Sequence, residues 1–244
     1  MNAPPALVLV AHGSRDPRAL ATVRALAARV RALRPTVPVH LGHIELNDPL
    51  LPDTLVALGD REAILVPLLL SRGYHVKRDI PEMAAASPAR TTIAAPLGPH
   101  PLLARALHTR LTEAGWPPRP TVRDRRTAAV VLAAAGSRDP DATLDTGHTA
   151  RLLADRLGVP VMPAFASAAQ PTVPEAVNTL RALGRHHIAV ASYFTAPGRF
   201  ATETARSAPA IAAAPLGTHS AMAELVLHRY NEAILTTRPA LTPL

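Results

Sequence analysis

Three residues of types that bind metals and move protons, His12, Glu45 and His75, each stand where a short apolar run gives way to a polar loop. Two imidazoles and a carboxylate make a mixed nitrogen and oxygen set suited to Fe2+, Co2+, Ni2+ or Zn2+, and three protein donors leave positions open on the ion for another molecule. A neutral imidazole, with an ordinary pKa of about 6.5, can both ligate an ion and accept a proton near neutral pH. The chain has no cysteine, so thiolate sites, disulfides and cysteine-ligated clusters are excluded. His43 lies two residues before Glu45, at strand spacing on one face, and is the reserve ligand.

Short β-type runs alternating with helical patterns must position these groups. Strands are expected near 6–11, 37–43, 63–69 and 91–95, and helices near 18–34, 50–59, 79–86 and 101–114. Leu20, Val23, Leu26, Val30 and Leu33 recur at three and four residues and give the first helix one buried stripe. The alternation predicts an α/β fold with a parallel sheet covered on both faces. With the strand order 2-1-3-4, His12, Glu45 and His75 close three neighbouring strands, at the end where open α/β sheets bind ligands.

The pattern occurs twice. His12-Gly-Ser-Arg-Asp-Pro17 returns as Ala135-Gly-Ser-Arg-Asp-Pro140, Val37-Pro-Val39 as Val159-Pro-Val161, and Ala95-Pro-Leu-Gly98 with His100 as Ala214-Pro-Leu-Gly217 with His219. Matched blocks in one order mark an internal duplication. Two tandem flavodoxin-like domains follow, each a four-stranded parallel sheet flanked by helices on both faces: 1–116 with the site, a linker at 117–125, 126–235 with a degenerate site, and a tail at 236–244. The second copy puts Ala135 opposite His12, Ser167 opposite Glu45 and Arg199 opposite His75. The trio is lost together while Gly-Ser-Arg-Asp-Pro is kept, which separates chemistry from scaffold. Asp16 and Asp139 fit helix-capping roles, and His100 and His219, present in both copies, fit a capping or packing role.

The net charge is +8, and Lys77 is the only lysine, so the positive charge is nearly all arginine, whose planar fork pairs with carboxylates and phosphates. An anionic partner is expected. Aromatic residues are only 3%, too few for stacking along single-stranded nucleic acid, and no apolar run is long enough to span a membrane. No basic segment precedes Ala6, so a cytoplasmic location is expected, with the chain a monomer.

His12-Gly-Ser-Arg-Asp-Pro17 after the first strand, Ile44-Glu45-Leu46 after the second and Gly73-Tyr-His75-Val-Lys-Arg-Asp-Ile-Pro81 after the third together resemble the sirohydrochlorin chelatases, class II chelatases of siroheme and cobalamin synthesis, in their two-copy form. The resemblance implies a lyase that inserts a divalent metal, foremost Fe2+ and alternatively Co2+ or Ni2+, into sirohydrochlorin. A metal or tetrapyrrole carrier is the non-catalytic alternative. It further implies His12 and His75 as catalytic histidines with Glu45 as their carboxylate, the same three residues holding the metal, and no organic cofactor. Substrate contacts are expected from Ser14, Arg15, Arg72, Gly73, Tyr74 and Arg199. The iron–sulfur or His-rich C-terminal segment of some members has no counterpart here.

Overall fold

The computed structural model describes residues 4–119 and 121–237. Six consecutive apolar residues form β1 (Ala6–Ala11), and all six are buried. A run without alternation belongs inside a parallel sheet covered on both faces. Asp16 then caps α1 (Pro17–Leu33), accepting the Arg18 N–H at 2.9 Å, and Pro17 occupies the first helical turn, where a missing donor costs nothing. The helix buries Val23, Leu26 and Val30 of the expected stripe, but Leu20 is only half-buried and Leu33, in the last turn, is exposed. There follow β2 (Val39–His43), α2 (Leu51–Leu58), β3 (Glu62–Pro67), α3 (Ile80–Ala85), β4 (Arg90–Ile93) and α4 (Pro101–Glu113). The strands are parallel in the order β2-β1-β3-β4.

The second half repeats the plan with β5 (Ala128–Ala134), α6 (Pro140–Leu157), β6 (Val161–Phe165), α7 (Val173–Ala182), β7 (His187–Ser192), α8 (Arg199–Arg206), β8 (Ile211–Ala212) and α9 (Ser220–Thr237), in the order β6-β5-β7-β8. A short helix, α5 (Val122–Thr127), starts inside the stretch expected as a linker. Of the stretch expected as a tail, Thr236 and Thr237 finish α9, and 238–244 lie outside the described residues. No described helix is long and apolar enough to cross a membrane.

The last helix of each repeat packs on the other repeat. Helix α4 lies against β7 and α6, while α9 lies against β3, β4 and α1. Leu103, Leu107 and Leu111 are wholly buried in one cluster with residues of both sheets, each burial stabilising by about 1.5–3 kcal/mol. The hydrogen bonds obey the same internal twofold relation. Arg110 donates to the Leu216 carbonyl at 3.1 Å, and Arg229 to the Leu97 carbonyl at 3.3 Å.

His100 and His219 begin these exchanged helices. Each accepts a backbone N–H through Nδ1 at 3.1 Å, from Leu102 and Ala221 respectively, which is the capping role expected of them. Burial first, and then nearby charge (Arg229 and His228 for His100, Arg110 for His219), holds both imidazoles below the usual 6.5. The folded chain therefore binds fewer protons here than the unfolded chain, so the stabilisation is present above about pH 6.5 and is lost as pH falls through the depressed values. Asparagine caps helices equally well but does not titrate. Melting curves should show a smaller fall in Tm between about pH 7.5 and 5 for His100→Asn/His219→Asn than for the native chain; equal slopes would contradict this role.

Candidate metal-handling site

His12 follows β1 directly, and Glu45 lies just past β2. The two loops touch through backbone. Ile44 N–H donates to the Ala11 carbonyl at 2.9 Å, Glu45 N–H to the His12 carbonyl at 3.0 Å, and Ser14 N–H to the Asn47 side-chain oxygen at 2.7 Å. Gly13 makes this approach possible: its φ is +105°, and a Cβ there would lie 1.8 Å from the Glu45 carbonyl oxygen. The result sets His12 Nδ1 3.5 Å from Glu45 Oε1.

His75 was expected where the third strand gives way to a polar loop. It instead opens a π-helical turn, His75–Asp79, that runs into α3, with the Ile80 N–H bonded to the His75 carbonyl. Pro81 supplies a reason, since its ring would clash with the carbonyl of Lys77 in an α-helix, and a wider turn relieves the crowding. One turn on, Asp79 Oδ2 lies 2.5 Å from His75 Nδ1. With Nδ1–H donating to this carboxylate, Nε2 keeps a free lone pair, the arrangement in which an outer carboxylate orients a metal-ligating imidazole. The rings of His12 and His75 meet edge to face, centroids 4.5 Å apart and planes at 87°. The structure thus brings the trio to one spot. Among the described residues, however, no three histidine or acidic side chains are grouped so that they could hold a metal ion.

Two matching cavities of about 360 and 350 Å3 flank His12; His75 lines the second and Glu45 neither. The first is walled by Gly13, Ser14 and Arg15 and by the second half's Pro197, Arg199 and Phe200. The other is walled by Gly136 and Ser137 and by the first half's Gly73, Tyr74 and His75. Each loop after a third strand thus leans on the other repeat's Gly-Ser turn. A Cβ on Gly73 would lie 3.6 Å from Ser137 Oγ, and one on Gly198 would lie 4.0 Å from Ser14 Oγ. His12 lines both cavities.

The register revises one correspondence. Leu7 pairs with Ile64 as Val130 pairs with Ala189, so the third strands are offset by 125 residues and not by 124. The hydrogen bonds Lys77 to Gly73 and Thr202 to Gly198 keep that offset. Phe200 therefore stands opposite His75, and Arg199 stands opposite Tyr74. Ala135 and Ser167 keep their places, because Ser167 N–H donates to the Ala135 carbonyl as Glu45 does to His12.

The other expected contacts divide. Arg15 is exposed at the first cavity, Tyr74 is 65% exposed at the second, and the Arg199 guanidinium lies 4.6 Å from the Phe200 ring centre. Ser14 is tied down locally, its Oγ accepting the Asp16 N–H at 3.1 Å. Arg72 departs from expectation: it lines neither cavity, and its guanidinium grips Asp145 at 2.7 Å, drawn there by a carboxylate that is 3% exposed. Lys77 is likewise bound to Asp139 and Asp141, whose charges raise its pKa. His43 is buried beneath the first cavity with Nδ1 3.1 Å from the Pro49 carbonyl, and His40 lies in a groove beside Arg31, apart from the trio. Sequence reasoning missed Asp79, legible four residues from His75, and Asp145, which no motif marks.

The paired-repeat parallel α/β fold, with His12 and His75 meeting in the cleft between the repeats and Glu45 beside His12, defines a duplicated α/β class of protein. The CbiX family model matches residues 6–114 and again 129–233, and the chain belongs to the CbiX family. Sirohydrochlorin ferrochelatase of Bacillus subtilis is 31% identical over 185 residues, which are 72% of this chain and 68% of that protein. Sirohydrochlorin cobaltochelatase of Methanococcus aeolicus is 38% identical over 81 residues, 32% of this chain and a little over half, 57%, of that protein's length. Among solved structures, SirB from Bacillus subtilis with Fe3+ has a TM-score of 0.74 at 24% identity, covering 93% of this chain and 94% of that one. SirB from its subspecies spizizenii in complex with cobalt has a TM-score of 0.73 at 22% identity, covering 95% and 96%.

Gly13 and Gly136 offer a matched test, since a Cβ on Gly136 would also lie 1.8 Å from a carbonyl oxygen, that of Ser167. Alanine at either position should destabilise the fold by more than about 1 kcal/mol. Titration calorimetry with Co2+ should then show about tenfold weaker binding for Gly13→Ala and near-native affinity for Gly136→Ala. Equal losses would mean that the Gly13 turn does not set the donor geometry.

Proposed function

We propose that the protein is a sirohydrochlorin chelatase, a lyase that passes a divalent metal from protein donors into the macrocycle. The observation that carries the reading is the edge-to-face meeting of His12 and His75 with Glu45 behind one ring and Asp79 behind the other. Support also comes from the family and from the chelatase names of its relatives.

Insertion exchanges M2+ for two pyrrole protons. The imidazoles hold the arriving ion through neutral nitrogens, and Glu45 offsets part of its charge. As the bonds from the metal to the four ring nitrogens form, the protein donors are released, and the protons of the two pyrrole N–H groups pass to the freed imidazoles. Because His12 lines both cavities and His75 the second, a flat macrocycle seated in the cleft meets both rings near its centre. Its carboxylates then reach the guanidinium groups of Arg15 and Arg199 at the rim. Arg72 and Lys77 have other partners and take no part in this grip.

Fe2+ is the proposed ion, supported by the Bacillus subtilis ferrochelatase. Co2+ is the second reading, favoured by the Priestia megaterium cobaltochelatase, 28% identical over 203 residues that are 79% of this chain and 64% of that protein. The donor set serves either ion.

The absorbance change of sirohydrochlorin with Fe2+ or Co2+ decides the reading. Native protein should turn over repeatedly, and His12→Ala or His75→Ala should lower kcat by about 100-fold or more. Binding without turnover would identify a carrier, and native rates in both variants would remove the site. Arg199→Ala should raise KM for sirohydrochlorin several-fold and leave kcat near native.

A further inference from the structure

The second repeat lacks the trio, yet its α6 presents three carboxylates to the loop that carries His75. Three residues before His75, Arg72 donates to Asp145 from its backbone N–H at 2.9 Å, from Nε at 3.0 Å and from Nη2 at 2.7 Å. Two residues after His75, Lys77 Nζ donates to Asp139 at 2.8 Å and to Asp141 at 2.9 Å. Tyr193 pins the start of the same loop, its hydroxyl donating to the Leu70 carbonyl at 2.9 Å. Burial raises the pKa of that hydroxyl and keeps it a donor. The imidazole is thus fixed on both sides to a wall made by the other half.

The internal duplication supplies a control. Across the mirrored seam, the loop of the second repeat faces α1 of the first. The offsets place Pro197 opposite Arg72 and Thr202 opposite Lys77, with Asp16, Arg18 and Thr22 opposite Asp139, Asp141 and Asp145. There Asp16 is bound by Arg18 of its own helix at 2.7 Å, and Thr22 Oγ donates to the Arg18 carbonyl. Among the described residues, no ion pair joins residues 195–202 to α1. Among the described residues, then, a loop seats against the opposite helix without an ion pair on that side. Of the two loop-to-helix seams, the paired charges are on the one whose loop carries an imidazole.

We propose that Asp145, with Asp139 and Asp141, positions His75, so that the second repeat acts on the chemistry by holding the first repeat's histidine at its working distance from His12. This rests on the chelatase reading for its kinetic arm alone. A buried carboxylate stripped of its partner is strongly destabilising, so the charges at Arg72 and Asp145 are removed together.

The variants are Arg72→Ala/Asp145→Thr and the exposed Lys77→Thr, the threonines being those of the mirrored seam. The double variant should lower kcat for metal insertion about tenfold while KM for sirohydrochlorin stays within about twofold. Amide hydrogen exchange of residues 71–79 should quicken in both variants while the sheets keep native protection. Arg72→Lys, which retains one charged bond to Asp145, should recover part of the lost kcat. Two results would overturn the proposal: native kcat and exchange in folded variants, which makes the pairs interface adhesive only, or a raised KM at native kcat, which makes Arg72 a substrate contact. Should the native protein insert no metal, the chelatase reading fails. The exchange arm then still decides whether α6 anchors the loop, and Lys77→Thr decides it should the double variant not fold.

Discussion

The exchange of terminal helices is the constraint on which the rest of the molecule depends. A parallel sheet must be covered on both faces, because its strands are apolar on both. In the first sheet, α2 and α3 cover one face through Leu51, Leu55 and Ile80, while the other is covered by α1 and by α9, which arrives from the opposite end of the chain. Helix α4 returns the cover on β7 and α6. Neither sheet is complete on its own. The sequence repeat is therefore not the packing unit, and the ends of β1 and β5 are held at a fixed separation by a core that both repeats share. A cleft built this way cannot open freely, since parting its walls would pull leucines out of that core.

Fixed walls explain how two loops can meet across the seam without being buried. Each leans on the opposite Gly-Ser turn, and both turns need a glycine for the same reason, a carbonyl 1.8 Å from where a Cβ would sit. That part of the motif is architecture, which is why both copies keep it. What differs between copies is what the frame displays: His12, Glu45 and His75 on one side against Ala135, Ser167 and Phe200 on the other. Duplication inside one chain has left the scaffold twofold and the side chains it displays onefold.

Much of this was legible in the sequence because it lies in local pattern. Unbroken apolar runs announced the central strands, Asp and Pro announced the starts of α1 and α6, and the duplicated blocks announced two sheets of order 2-1-3-4. The trio was legible through its joint loss in the second copy. The helix exchange was not, because α4 and α9 carry the same apolar stripe whichever sheet they cover. Opposing Arg199 to His75 missed by one position, because the segment joining the first and third strands differs in length between repeats and only strand register resolves it. The loop arginine and lysine read as an anion grip, since a sequence shows a charge without its partner. Asp145 is polar in the middle of a helix and matches no motif, so its burial against Arg72 emerges only in three dimensions.

The proposed transfer also bears on which donors suit the site. A structural zinc is held by four protein ligands in closed geometry, and such a site would retain the ion that a chelatase, as proposed above, must surrender. Two imidazoles and one carboxylate would leave coordination positions free, so that incoming pyrrole nitrogens could bind before the protein donors let go. Orientation must then come from elsewhere, because too few bonds to the metal remain to fix the ligands. Asp79, bonded to His75 Nδ1, supplies it from outside the donor set, and the backbone bonds between the His12 and Glu45 loops hold the other two groups. A site that holds its ligands firmly and its metal loosely is suited to transfer, and in this fold the firmness resides in the surrounding carboxylates, backbone contacts and shared core.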